Sequence, residues 1–215
     1  MPELITLFKG IAMGIILSVI TPPASLWMIQ IGFKRNWVQA NGAGIGLAAG
    51  HAFLTILVGY CLLLLVTFWE YIAIPARILA MLVLLYMGWK CFRAQPMKSV
   101  LLPEETRMPS SLLQLVQQTG YVLITMPMRV PVVFAYMVAT AVLYRMGGIF
   151  GLPVLALGVF LGAMSWNSFL NSLGWAFGRR IDESISLRSL NKLARLAAYV
   201  FFILAAITVL PMFVA

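Results

Sequence analysis

The chain reads as an all-α integral membrane protein: six transmembrane helices in two oppositely inserted groups of three, with helices 1 and 4 broken at prolines. Three observations carry this. Of its 215 residues 62% are hydrophobic and 10% charged, with a mean hydropathy of +0.99, too apolar for a water-soluble domain. Uncharged runs at 10–33, 36–69, 108–128, 130–144, 146–178 and 196–215 supply the stretches of roughly 20 apolar residues that a bilayer core requires. Prolines interrupt the runs in the first and fourth spans.

The first span, about 4–32, contains GIILSVITPPASLW from Gly14 to Trp27. A proline has no N–H to donate, and its ring clashes with the carbonyl four residues back, so Pro22 and Pro23 release the carbonyls of Ser18 and Val19. One half-helix is expected to end near Thr21 and another to start at Pro22 or Pro23, leaving the N–H groups of Ala24, Ser25 and Leu26 unpaired. Such backbone persists inside a membrane only beside protein or a water-filled cavity. With Glu3 where a signal peptide would be basic, this segment is expected to stay as helix 1.

Span 2, about 38–67, carries Asn41, Gly44, Ala48, His51 and Thr55 within about 80° of arc at 100° per residue, a small and polar stripe that must face inward. His51 is the single histidine; with an ordinary pKa of about 6.5 it could exchange protons, or serve as a hydrogen-bonded packing residue. Span 3, about 75–93, is expected to start at Pro75 and to hold Arg77 near its outer end, where a long side chain snorkels. The prolines and charges of AQPMKSVLLPEETRMPS then divide the chain into a first repeat at 1–93, a cytoplasmic linker at 94–110 and a second repeat at 111–215.

Three spans per half place the second half in the opposite orientation, the condition for an inverted-topology repeat. Matching features exist. Gly14 precedes Thr21-Pro22-Pro23 as Gly120 precedes Thr125-Met126-Pro127, and Gly46 and Gly50 of span 2 match Gly158 and Gly162 of span 5.

Span 4, about 111–144, puts Arg129 between Pro127 and Pro131, well inside the run. A guanidinium at the bilayer centre costs about 2.5–3.5 kcal/mol, so it should face a cavity, a carboxylate or the carbonyls freed by its proline neighbours. Span 5, about 150–178, ends in the polar run Ser165-Trp166-Asn167-Ser168 and Asn171-Ser172, which suits either interhelical hydrogen bonding or, at Trp166 and Asn167, a cavity wall. Span 6 is about 191–213.

Charge sets the orientation. The net charge of +9 lies mainly in loops 1–2, 3–4 and 5–6, while the opposite side has Lys9, Arg77 and Arg145; both termini are therefore expected outside and the odd loops in the cytoplasm. Nucleic acid is not an expected partner. Cys61 and Cys91 form no CxxC pair, so no disulfide framework, metal site or cofactor is indicated. No Walker loop, HExxH motif or serine or cysteine nucleophile with a partner appears, so the chain is not expected to be an enzyme. Two half-helix N-termini, each worth about half a positive charge, together with Arg129 favour a carboxylate, and the sum is a solute carrier.

The glycine, six residues, then Thr21-Pro22, with the glycines of span 2 and LVLLYMGWKCFRA at 82–94, resembles the lysine exporter (LysE/RhtB) family of amino-acid efflux permeases. The resemblance implies a bacterial inner-membrane antiporter that exports amino acids or related metabolites on the proton-motive force. Three positions depart from that family's pattern. Thr-Pro-Gly-Pro reads Thr21-Pro22-Pro23-Ala24; the acidic residue after the span 2 glycine is His51; Asn-Pro-Lys reads Met126-Pro127-Met128, with Arg129 one position on.

The expected substrate site therefore takes Thr21, Pro22, Pro23 and Ser25 from one half and Thr125, Pro127 and Arg129 from the other, with Asn41, Trp166 and Asn167, and with His51 as the proton-coupling group. The partners are an amino acid or carboxylate and the lipid bilayer; a homodimer stays open. Alternatives are a carrier of another solute or a metal ion on the same fold, a thiol-redox conduit, or a non-transporting scaffold.

Overall fold

The computed structural model describes residues 2–19, 37–65, 68–93, 129–140, 151–177 and 198–208, with single positions between 113 and 120 and at 192, 195 and 196. Six helices lie in them: α1 (Pro2–Val19), α2 (Trp37–Leu65), α3 (Trp69–Phe92), α4 (Arg129–Ala139), α5 (Gly151–Phe177) and α6 (Ala198–Thr208). α2, α3 and α5 are long and apolar enough to cross a membrane. At 29 residues α2 is about 43 Å long, which exceeds the roughly 30 Å hydrocarbon core and calls for a tilt.

The helix ends follow proline chemistry. Pro2, Pro131 and Pro153 all stand within the first three residues of their helices, where an N–H has no partner inside the helix and its loss costs nothing. Pro75 behaves differently from the sequence expectation: α3 begins at Trp69 and carries Pro75 inside it. One backbone bond, to the carbonyl of Tyr71, is given up there, and a membrane helix tolerates that where neighbours satisfy the freed group. Arg93 closes α3, its N–H donating to the Trp89 carbonyl at 2.9 Å and its guanidinium lying 4.5 Å from the Trp89 ring.

α1 packs on α5, α2 packs on α5 and more lightly on α4, and α3 packs on α4. The α1–α5 crossing brings backbone against backbone. A Cβ added to Gly158 would meet the Leu7 carbonyl oxygen and stand 2.9 Å from the Gly10 Cα; one added to Gly162 would meet the Ile11 carbonyl oxygen and stand 2.9 Å from the Ile11 Cα. Only glycine permits such an approach. The pairing of residues 10 with 158 and 14 with 163 makes α1 and α5 parallel, whereas 44 with 167 and 59 with 152 makes α2 and α5 antiparallel. Both relations suit a chain that crosses the bilayer in alternation.

The core is one cluster drawn from every helix, including Met13, Leu17, Leu54, Leu84, Val132, Met137, Leu155 and Phe201. α4 is its centre, with Val132, Val133 and Ala135 through Ala139 all buried, so that almost no face of that helix meets the surroundings. By contrast α3 turns Ile74, Ile78, Leu82, Leu85 and Trp89 outward, as a helix against lipid would.

Candidate functional site

The span 2 stripe is buried as its periodicity requires: Asn41, Gly44, Ala48, His51 and Thr55 all lie inside. It divides into two parts with different neighbours.

Its first part faces α5. Ser168 Oγ donates to Asn41 Oδ1 at 3.0 Å, while Asn41 Nδ2 donates to the Trp37 carbonyl at 3.0 Å. Asn167 Nδ2 donates to the Gly44 carbonyl at 3.3 Å, and a Cβ at Gly44 would stand 3.1 Å from the Asn167 Cβ. Gly44 is thus the residue that lets the two helices close on their polar seam. One turn further along α5 is Asn171, fully buried, whose carboxamide nitrogen and oxygen have no hydrogen-bond partner among the described residues. A buried amide so placed is expensive unless something in the working protein meets it.

The second part faces α4. Arg129 opens that helix and is 8% exposed. Its guanidinium stands close enough to His51 on α2 and to Cys91 on α3 to act electrostatically on both. His51 is 2% exposed, and its Nδ1 has no hydrogen-bond partner among the described residues. Thr55 Oγ1 donates to the His51 carbonyl at 2.8 Å and leaves the ring alone. The charge of Arg129 on α4 is thus felt by a ring on α2 and a thiol on α3, within an apolar core where a positive charge is tolerated beside an anion or strong acceptors.

Of the expected site residues, Arg129 and His51 are both buried, with the charge of the first acting on the second, and Asn41 and Asn167 sit in one seam. Trp166 is half-buried beside Phe169, ring centroids 5.7 Å apart, with its Nε1 buried and without a hydrogen-bond partner among the described residues. Thr21, Pro22, Pro23, Ser25, Thr125 and Pro127 lie outside the described residues. Two residues were missed. Asn171 was visible as the i+4 neighbour of Asn167 on one helix face. Cys91 had no signal, because its approach to Arg129 depends on how α3 meets α4. Among the described residues no group of three histidine, cysteine or acidic side chains could hold a metal ion.

The family model for LysE type translocators matches residues 15–210. No curated protein and no solved structure matches the chain. That match takes in the seam, the buried arginine and the helices that hold them, and on it the chain belongs to the LysE type translocator family, membrane transporters of amino acids or related solutes.

Proposed function

We propose that the protein is a secondary transporter that exports an amino acid or a related small carboxylate across the bacterial inner membrane, coupled to protons through His51. One observation carries this reading: in a translocator of this family a guanidinium is buried at the meeting of α2, α3 and α4. A fixed cation there is well suited to a carboxylate, which accepts two parallel hydrogen bonds from the guanidinium fork.

The two halves, 1–93 and 111–215 about a linker at 94–110, work as an inverted repeat and rock about the broken helices to give alternating access. The crossings support this. The first helix of one half meets the second helix of the other at Gly10 and Gly14 with Gly158 and Gly162, and its counterpart pairs Gly120 with the Gly46 carbonyl, 3.3 Å from an added Cβ. Equivalent helices also meet each other, α2 with α5 at Gly44 and α3 with α6 where Gly88 faces Phe202. Thr21, Pro22, Pro23 and Ser25 line one side of the site, Thr125, Pro127 and Arg129 the other, with Asn41, Trp166 and Asn167 along the seam. Both termini face outward on the charge distribution.

Everted vesicles from cells with and without the protein, offered labelled amino acids, carboxylates and divalent cations, test the reading. Saturable, protein-dependent uptake of an amino acid or carboxylate is expected. Uptake of divalent ions alone would overturn it in favour of a cation carrier, and uptake of nothing in favour of a scaffold.

A further inference from the structure

We propose that the polar end of the α2–α5 contact is the cytoplasmic gate of the translocator: α2 parts from α5 around Gly44, and water enters to meet the Asn171 carboxamide. The inference rests on the transporter reading and locates one of its moving contacts.

The two neighbours of α5 are held by different means. Toward α1 it presents Gly158 and Gly162, where an added Cβ would stand 2.9 Å from the Gly10 and Ile11 Cα atoms. Such a contact is dispersion between closely fitted backbones, and water is a poor substitute for it. Toward α2 it presents side-chain hydrogen bonds, Ser168 Oγ donating to Asn41 Oδ1 and Asn167 Nδ2 donating to the Gly44 carbonyl. Water replaces these at a small net cost. α1 and α5 are therefore the pair that moves together, and α2 is the helix that separates from it.

Asn171 weighs toward opening. It is fully buried, its Nδ2 lies 3.7 Å from the point where a Gly44 Cβ would be, and neither that nitrogen nor Oδ1 has a hydrogen-bond partner among the described residues. The side chain that Gly44 lacks leaves a notch bounded by Asn167, Asn171 and Met164, in which one added carbon would already stand 3.1 Å from the Asn167 Cβ. The notch holds no solute while the seam is closed. Closing the seam thus strands an amide that opening hydrates, and the stranded amide works against the two bonds that hold the helices together. Opening then needs only a modest bias from whatever meets the amide.

The polar section lies at one end. Fifteen residues away along each helix, about 22 Å at 1.5 Å per residue, α2 and α5 meet at Gly59 and Leu152, with Met137 Cε 3.4 Å from the Gly59 Cβ position. That end is apolar, and water gains nothing there. The polar end adjoins Lys34 and Arg35, just ahead of α2, and Arg179 and Arg180, just after α5, the cations that assign it to the cytoplasmic face. A solute bound for export enters there.

The test places one thiol at the stranded amide, Asn171→Cys with Cys61 and Cys91 replaced by serine, and offers it a membrane-impermeant methanethiosulfonate. Everted vesicles present the cytoplasmic face and right-side-out vesicles the other. Labelling should be at least tenfold faster in everted vesicles, at a residue the closed seam buries completely. Equal rates from the two faces, faster labelling from outside, or none from either would overturn the proposal. Asn171→Leu gives an independent readout, since it keeps the size of the side chain and removes the amide. It should melt several degrees higher and carry whichever labelled amino acid or carboxylate the wild type takes up at least tenfold more slowly, because a dry seam opens rarely. A lower melting temperature means that the amide has a partner in the closed seam, and unchanged flux means that the seam does not gate. Either result overturns the proposal, whether or not Asn171→Cys folds. Wild-type flux with an unreactive Asn171→Cys thiol removes this inference alone, whereas no wild-type flux for any solute of the vesicle panel removes the transporter reading with it.

Discussion

Arg129→Ala is expected to lower carboxylate transport at least a hundredfold, by far more than any loss of folded protein accounts for. The first half follows from the interaction lost. Charge-assisted hydrogen bonds are worth about 1.5–3 kcal/mol each, and a bidentate guanidinium–carboxylate pair has two, so about 3 kcal/mol or more of binding disappears, two decades in affinity. The second half follows because the groups that hold Arg129 inside the protein bear on stability whereas its contact with substrate bears on transport, so the two readouts separate. Arg129→Lys should fall between, keeping the charge but losing the planar fork. Labelled-substrate binding in detergent, read beside the melting temperature, separates this from a structural role. An arginine that served only to satisfy freed carbonyls would give the reverse pattern, with a lower melting temperature and activity that falls only in step with the folded fraction.

Gly158→Ala and Gly162→Ala carry the largest expected effect on folding. Overpacking a core costs about 1–3 kcal/mol when side chains can shift, and more when they cannot. At these two positions the obstacle is the backbone of α1, with the Gly10 Cα and Ile11 Cα each 2.9 Å from the added atom, so the helices must part along their whole crossing. Each single variant should lose several degrees of melting temperature by fluorescence-detected size exclusion, and the double variant should yield little folded protein. Gly88→Ala is the control. Its Cβ would meet the Phe202 ring at 2.9 Å, a side chain that can turn aside, and the loss there should be clearly smaller.

Much of this was readable from the chain. α2 and α5 were bounded within a residue or two because the uncharged runs 36–69 and 146–178 are long and end in charge. The burial of His51 and Asn41 followed from a 3.6-residue period. Arg129 declared itself as a charge that an apolar run could not leave facing lipid. What the sequence withheld were relations between helices. Pro75 was taken for a helix start because a proline most often is one, although α3 accommodates it one turn and a half inside. The glycines of α5 entered the sequence reading as a match to those of span 2 and did not reveal their partner on α1, since a small residue marks where a backbone can approach without naming which one. Cys91 was given no role for the same reason: nothing along the chain connects it to a residue 38 positions later.

The central claim is that Arg129 sits in a pocket that aqueous anions reach. Cys91, half-buried and within the electrostatic reach of Arg129, reports on this once Cys61 is replaced by serine. Negatively charged methanethiosulfonate should label Cys91 faster than the positively charged reagent of similar size, and excess L-lactate should slow the labelling. Equal rates for both reagents with no protection by lactate, or no labelling of the folded protein at all, would contradict the claim.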